Sequence, residues 1–156
     1  MKVRQKTPCF VFDLDGTLCD VTHRRQYVAT KPRNWDAWNA GIANDAPNVP
    51  VISALTGLRS VGYVVLLVSG RSEEYREVTV DWLAKYGMEE GRSYESLYMR
   101  AEGDKRDDSI VKSEIADLIS EKYKIVGVFD DRRRVVDMWL SRGIFVFDVG
   151  QGNGDF

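Results

Sequence analysis

The sequence predicts an α/β protein built on a mostly parallel five-stranded sheet. Five short apolar segments rich in strand-forming residues alternate with amphipathic segments of helical period along the 156 residues. Several of the apolar segments end abruptly in acidic or small polar residues, as strands do at the binding edge of an open sheet. The length fits a single domain, residues 1–156.

The strand candidates are short apolar runs bounded by turn signals. They cover residues 9–13, 63–69, 96–100, 125–130 and 144–149. The segments between them place apolar side chains at helical spacing, which predicts helices over residues 50–60, 73–86, 108–123 and 134–142. For the second of these helices, Ser72 is the predicted N-cap and Gly87 the predicted stop.

Residues 20–48 break this alternation, because they show no clean strand or helix period. Residues 35–43 could form a short helix within them. The segment directly follows an acidic turn, so we expect an irregular flap over the site. It is too short for a second domain, which predicts an open pocket and no large cap domain.

The overall charge gives no reason to expect nucleic-acid binding, since the net charge is −2. Residues 20–48 nevertheless mix basic and aromatic side chains, a combination that can hold a phosphate backbone and stack bases. The alternative is an ordinary polar loop whose aromatics turn into the core, and composition leaves both open. The residues concerned are His23, Arg24, Arg25, Tyr27, Lys31, Arg33, Trp35 and Trp38.

Other function classes are excluded by what the sequence lacks. The longest apolar stretch, residues 63–68, is far too short to cross a bilayer, and residues 1–8 lack the apolar core of a signal peptide. We therefore expect a cytoplasmic protein without membrane association. One histidine and two cysteines exclude a Ser-His-Asp triad and a His-rich zinc site, and no disulfide is expected.

The most informative feature is an acidic turn at the end of the first strand. Asp13 and Asp15, separated by Leu14, follow an apolar run and precede Gly16 and Thr17. Two acids at the carboxyl tip of a buried strand do not belong to the core. Closely spaced carboxylates suit Mg²⁺, which takes oxygen ligands and commonly bridges to phosphate. The alternative is an Asp-Gly turn with two solvated acids.

Three further groups of polar residues lie directly after predicted strands or at the start of a predicted helix. Ser69-Gly70-Arg71 follows the second strand, Lys112 lies in the first turn of a helix, and Asp130-Asp131-Arg132 follows the fourth strand. Each group alone is ordinary. Together, in this order and on alternating strands and helices, they form a specific signal.

In this order the four groups resemble the four motifs of the haloacid dehalogenase-like phosphohydrolases. The resemblance implies a Rossmann-like, three-layer α/β/α fold, dependence on Mg²⁺ and an aspartyl-phosphate intermediate. Asp13 is the implied nucleophile and Asp15 the general acid and later base. Lys112 would supply positive charge, while Ser69 would hold the phosphoryl oxygens.

The same resemblance implies a metal site. Mg²⁺ would bind Asp13, the backbone carbonyl of Asp15 and Asp131, with Asp130 as a direct or water-mediated ligand. Which of Asp130 and Asp131 touches the metal stays open. The alternative for one of them is a salt bridge to Arg132.

A closer similarity, weakest in residues 20–48, is to the phosphatase half of bacteriophage polynucleotide kinase, a family that removes 3′-phosphates and 2′,3′-cyclic phosphates from nucleic-acid ends. It rests on Gly70-Arg71, the run of residues 100–108, the Asp130-Asp131-Arg132 turn and Gly154-Asp155-Phe156.

Carried over by position, this similarity adds functional residues. Arg24, Arg71, Arg100 and Asp107 are implied, since arginine forks bind phosphate oxygens and Asp107 would orient Lys112 or an arginine. The alternative for each is a surface charge or, for Asp107, a helix cap. Thr17 and Arg132 complete the predicted substrate-binding set, and Arg71 is expected to act in catalysis as well.

The predicted function is therefore a Mg²⁺-dependent phosphatase acting on the 3′ ends of DNA or RNA. One alternative is the same chemistry on a small phosphomonoester, and another is a receiver-like signalling domain that accepts a phosphoryl group on aspartate. The chain contains no Gly-x-x-x-x-Gly-Lys-[Ser/Thr] phosphate loop, so it is not expected to phosphorylate 5′ ends. A separate kinase or ligase is a possible partner, and the sequence does not indicate the oligomeric state.

Overall fold

Strands and helices alternate in a computed structural model that describes residues 2–151, so Gly154-Asp155-Phe156 lies outside the described residues. The strands in chain order are β1 Thr7–Phe12, β2 Cys19–Asp20, β3 Ala46–Pro47, β4 Val64–Ser72, β5 Ser96–Arg100, β6 Tyr123–Asp130 and β7 Phe145–Asp148. The α-helices are α1 Trp35–Ala40, α2 Val49–Ser60, α3 Arg76–Lys85, α4 Asp108–Lys122 and α5 Arg133–Ser141.

Five strands form one parallel sheet in the order β5-β4-β1-β6-β7. The chain runs outward from β1 to β4 and β5, and α4 then carries it back to β6 on the other side of β1. The strand order therefore reverses beside β1. At such a point the loops at the carboxyl ends of the strands diverge and leave a crevice. The predicted fold class is confirmed.

Helices cover both faces of the sheet. Phe10 and Phe12 of β1 pack into a core with α2 and α3, whereas Cys9 and Val11 pack into a second core with α4 and α5. Successive side chains of a strand point to opposite faces, so a strand covered on both sides must be apolar throughout. This explains the continuous hydrophobic run before Asp13 and gives the three-layer α/β/α arrangement.

The segment between β1 and α2 is more ordered than an irregular flap. It contains 3-10 helices at Thr22–Tyr27 and Ile42–Asn44, the short helix α1, and a two-stranded sheet of β2 and β3. The helix predicted over residues 35–43 ends at Ala40, where Gly41 caps it. Trp38 is buried in the core, whereas Trp35 is exposed, so the aromatics of this segment divide between the two alternatives. Residues 2–151 contain no large cap domain.

The prediction of a helix over residues 73–86 is wrong for its first turn. Residues 73–75 form a separate 3-10 helix, and α3 begins only at Arg76, with Tyr75 as its N-cap residue. Ser72 is the last residue of β4 and directly precedes the 3-10 helix, and its side chain makes no capping hydrogen bond. Strand β6 also begins two residues before the predicted position, since its pairing with β1 extends to Tyr123 opposite Thr7.

Both cysteines, Cys9 and Cys19, are free, as the sequence predicts, and both are buried. Within residues 2–151, no helix has the combination of length and hydropathy needed to span a membrane.

Truncation of Leu67 tests the core. Leu67 is fully buried in β4 and lies opposite Phe12 of β1. Leu67→Ala is expected to lower the free energy of unfolding by about 2–5 kcal/mol, because it removes buried methyl groups and leaves a cavity. Urea denaturation measures the loss. The control is Leu118→Ala on α4, where the side chain is 53% exposed and the expected change is below about 1 kcal/mol. Equal losses in the two variants would contradict this packing.

Candidate active site

The predicted motifs meet at the carboxyl ends of β1, β4 and β6. Asp13 directly follows β1, and its backbone N–H donates to the carbonyl of Phe129, 3.0 Å away in β6. Asp130, the last residue of β6, therefore lies beside Asp13. A cleft of about 590 Å³ opens here. Its lining includes Asp13, Asp15, Arg71, Arg100, Asp107, Asp108, Lys112, Asp130, Asp131 and Arg132.

A buried lysine joins the first and fourth motifs. The Nζ of Lys112 lies 2.8 Å from Oδ1 of Asp13 and 2.9 Å from Oδ2 of Asp130. Burial alone would lower the pKa of Lys112, but Asp13 and Asp130 outweigh it and raise that pKa, so the ammonium stays charged. Burial and the neighbouring Asp130 raise the pKa of Asp13 well above its usual value, and Lys112 offsets only part of that effect.

Three carboxylates form a potential metal site. Asp13, Asp130 and Asp131 each offer an oxygen within 4.8 Å of the others. Burial and, after it, the adjacent Asp130 raise the pKa of Asp131 to about 6, because both disfavour the ionised carboxylate. An all-oxygen donor set with excess negative charge fits a hard cation such as Mg²⁺.

Gly16 makes room for this cluster. Its backbone has φ of +81°, and a Cβ built there would lie 2.0 Å from Oδ2 of Asp131. Any other residue would clash with that carboxylate and strain the turn as well. The glycine of the first motif thus permits the first and fourth motifs to approach each other.

Asp15 points into a different charged environment. Its carboxylate accepts hydrogen bonds from Nη2 of Arg71 at 2.5 Å and from Nη2 of Arg24 at 2.7 Å. Burial would raise the pKa of Asp15, but Arg71 and Arg24 overcome it and hold that pKa well below its usual range. Asp15 is therefore ionised in this arrangement. The structure brings Arg24 and Arg71, both predicted as functional, onto the same carboxylate.

Asp45 completes this second cluster and was missed at the sequence level. Its buried carboxylate accepts from Nε of Arg24 at 2.7 Å and from Nη2 of Arg71 at 3.3 Å, while His23 lies 2.8 Å away. Its backbone carbonyl accepts from the indole of Trp82. The four charges of the cluster thus alternate in sign around Asp15. No motif or periodicity marks Asp45 in the sequence, because its partners are 21 and 26 positions away.

Arg24 is not the loop-surface side chain that its polar surroundings in the sequence indicate. It is fully buried, and its guanidinium lies over the ring of Trp38, 4.1 Å from the ring centroid. Stacking on an aromatic face and bonding to two carboxylates compensate for its burial.

Asp108 is a second functional candidate that the sequence analysis missed. Its carboxylate accepts from Nη2 of Arg100 and, at 2.7 Å, from Nη1 of Arg132. Arg100 also donates to the carbonyl of Gly70 at 2.8 Å, and a Cβ on Gly70 would lie only 2.6 Å from Asp108. Asp108 thereby ties the second motif to the fourth. One signal could have revealed it, since Asp108 lies four positions before Lys112 on the same helix.

The neighbouring Asp107 has another role. Its side chain caps α4 by accepting from the N–H of Ser109 at 2.9 Å and pairs with Nη1 of Arg134 at 2.6 Å. Asp107 thus contacts an arginine, one of the two predicted partners, and Lys112 is held by Asp13 and Asp130 instead. It also serves as the helix cap that was the alternative.

Two predicted site residues lie behind the cleft. Thr17 is fully buried and donates through Oγ1 to Oδ2 of Asp13 at 3.0 Å. Ser69 is also fully buried, and its Oγ accepts from the backbone N–H of Arg71 at 3.1 Å. Both hydroxyls therefore position neighbouring groups that line the cleft.

Chemically, this arrangement suits an anionic phosphate ester. Asp13 offers a carboxylate oxygen beside a charged lysine, and Arg71, Arg100 and Arg132 bring guanidinium groups to the same cleft. Positive charge at this position offsets the repulsion between an attacking carboxylate and a phosphate.

Comparison with known proteins agrees with this geometry. The family model of the polynucleotide kinase PNKP phosphatase domain matches residues 7–156. A protein of Autographa californica nuclear polyhedrosis virus, named as a bifunctional polynucleotide kinase/RNA ligase, is 32% identical over 140 residues. That match covers 88% of this chain but 18% of the viral protein.

Solved structures of other proteins are also similar to this chain. A chain from the Pnkp1/Rnl/Hen1 complex matches with a TM-score of 0.76 and 35% identity, over 99% of this chain and 49% of that one. A class C acid phosphatase from Bacillus anthracis, 19% identical with a TM-score of 0.65, shares the fold over 96% of this chain and 69% of its own. The chain thus spans about half or less of its polynucleotide kinase relatives. With the family model matched over nearly its whole length, it belongs to the family of polynucleotide kinase PNKP phosphatase domains, a haloacid dehalogenase-type phosphatase family.

Proposed function

We propose that this protein removes 3′-phosphates from polynucleotide ends, with Mg²⁺ as cofactor and a covalent aspartyl phosphate as intermediate. The observation that carries the proposal is the Asp13 carboxylate, held 2.8 Å from the Lys112 ammonium in a cleft whose lining includes six arginines. Membership of a polynucleotide kinase phosphatase family supports the substrate class.

In the first step, an oxygen of Asp13 attacks phosphorus and the bond from phosphorus to the 3′-oxygen breaks. Lys112 keeps Asp13 in place and contributes positive charge next to the transferring group, while Thr17 fixes the other carboxylate oxygen. Mg²⁺ held by Asp13, Asp131, the backbone carbonyl of Asp15 and, directly or through water, Asp130 would neutralise charge on the phosphoryl oxygens. Arg71, Arg100 and Arg132, which line the cleft, would bind those oxygens as forks.

Asp15 supplies the acid and base. In the substrate-free arrangement its pKa is low because Arg71 and Arg24 hold it. A bound phosphate dianion competes for the guanidinium of Arg71, which lines the cleft, and this weakens the effect and raises the pKa of Asp15. The protonated carboxyl then donates to the departing 3′-oxygen. The carboxylate left behind removes a proton from the water that hydrolyses the aspartyl phosphate.

Ser69 receives a positioning role in this proposal. Its buried hydroxyl accepts from the Arg71 N–H and so fixes the turn that carries the Arg71 side chain to Asp15. Asp108 acts in the same way on Arg100 and Arg132.

The partner proposal follows from the relatives. One relative is a chain of an RNA repair complex with Rnl and Hen1, and another is named for polynucleotide kinase and RNA ligase activities. We infer that the reaction proposed here prepares 3′-hydroxyl ends for a ligase, while a kinase phosphorylates the 5′ ends, with the kinase and ligase on the same chain or on separate ones. Family membership gives no support to the receiver-like alternative.

A substrate comparison tests the proposal. The wild-type protein with Mg²⁺ is expected to release phosphate from a 3′-phosphorylated oligonucleotide with a kcat/KM well above that for the 3′-mononucleotide or for the 5′-phosphorylated oligonucleotide. Asp13→Asn should abolish this release, because an amide is a poor nucleophile. Equal or faster hydrolysis of the mononucleotide would instead favour a small phosphomonoester as substrate, and substantial turnover by Asp13→Asn would remove Asp13 as nucleophile.

Asp45 provides a second prediction. Asp45→Asn is expected to lower the free energy of unfolding by about 3 kcal/mol, because it leaves the buried guanidinium groups of Arg24 and Arg71 short of a negative partner. Chemical denaturation measures this. The matched control is Asp36→Asn in the same segment, an exposed first-turn residue of α1, for which we expect less than about 1 kcal/mol. If the two variants were equally stable, Asp45 would not be a structural anchor of the cluster.

A further inference from the structure

We propose that Trp35 is a stacking platform for a nucleobase near the 3′ end of the substrate strand. The inference rests on the proposed function and specifies how the protein would distinguish a polynucleotide from a small phosphate ester. It names a binding residue outside the motifs that bind the phosphate itself.

The exposure of Trp35 is the first observation. The chain has four tryptophans, of which Trp38, Trp82 and Trp139 are at most 5% exposed, whereas Trp35 is 46% exposed. Its ring lines the same cleft as Asp13 and Lys112. A large exposed aromatic beside a phosphate-binding centre offers a flat apolar face where the rest of a nucleotide must lie.

The helix that carries Trp35 is capped and packs against the second charged cluster. Trp35 is the first residue of α1, and the side chain of Asn34 caps that helix by accepting from the N–H of Ala37 at 3.0 Å. Trp38, three residues further along, is buried and lies against the guanidinium of Arg24. Arg24 in turn donates to Asp15. A short chain of packed side chains therefore fixes the position of the platform relative to the catalytic carboxylates.

Basic side chains accompany the platform. The guanidinium of Arg33 lies 5.8 Å from the centroid of the Trp35 ring and also lines the cleft, as does the exposed Lys105 from the loop before α4. Cations beside an aromatic face are the combination with which proteins bind single strands, because one holds the backbone and the other stacks on a base. Any base can stack on an aromatic face, so the platform should bind a polynucleotide without sequence preference.

Kinetics on two substrates test the inference. In Trp35→Ala, the KM for a 3′-phosphorylated oligonucleotide should rise about tenfold, since stacking of one base is worth roughly five- to hundredfold in binding. The preference for the oligonucleotide over glycerol 3-phosphate, measured as the ratio of kcat/KM values, should fall by a similar factor. Trp35→Phe should restore most of it. The matched control is Phe145→Ala, which removes an aromatic that is 65% exposed and lies outside the cleft lining.

A binding measurement removes the dependence on turnover. In the Asp13→Asn protein, the oligonucleotide should quench tryptophan fluorescence, because Trp35 is the one exposed tryptophan of the chain. The quenching should vanish when Trp35→Phe is added. Persistence of the quenching, or an unchanged KM in Trp35→Ala, would overturn the platform and leave the 3′-phosphatase proposal intact. A wild-type protein that hydrolyses glycerol 3-phosphate but not the oligonucleotide would overturn the proposed function itself.

Discussion

The contact of the buried Lys112 ammonium with Asp13 and Asp130 is the interaction on which the site depends. Three parallel strands end at one edge of the sheet, and two of them deliver acidic side chains to the same point. The negative charges of these side chains would repel one another if no positive charge compensated them. Lys112 joins the two strand ends at 2.8 and 2.9 Å and removes part of the repulsion. The remaining negative charge is what makes the cluster suitable for a divalent cation.

A second charge system separates the two aspartates of the first motif. Asp13 and Asp15 are two residues apart, yet they meet different surroundings because the chain turns at Leu14 and Gly16. Asp13 is buried and lies among carboxylates, and both conditions raise its pKa, whereas Asp15 lies between Arg71 and Arg24, which lower its pKa. The two carboxylates of one motif thus have pKa values moved in opposite directions by their surroundings. Asp45 sustains this separation by holding both arginines.

The fold and the motif residues could be predicted from the sequence because they depend on local patterns. Apolar runs of strand length locate β1, β4, β5, β6 and β7, and the acids at the carboxyl ends of β1 and β6 locate the cleft. Asp45 and the contacts of Asp108 could not be predicted from the sequence, since they depend on how distant segments pack. The same cause explains an error of detail, since Ser72 is predicted from its neighbours as the cap of α3 but lies at the end of β4, and α3 begins only at Arg76.

The acidic cluster is tested most directly by calorimetric titration of Mg²⁺ at two pH values. With the pKa of Asp131 raised to about 6, the proton competes with the metal at pH 5 but is largely absent at pH 7.5. One Mg²⁺ should therefore bind about tenfold more tightly at pH 7.5 than at pH 5, because pH 5 lies about one unit below the pKa of Asp131. Asp131→Asn should weaken binding strongly at pH 7.5. Binding that is absent, or that is the same in Asp131→Asn as in the wild type, would contradict the assignment of these carboxylates as the metal site.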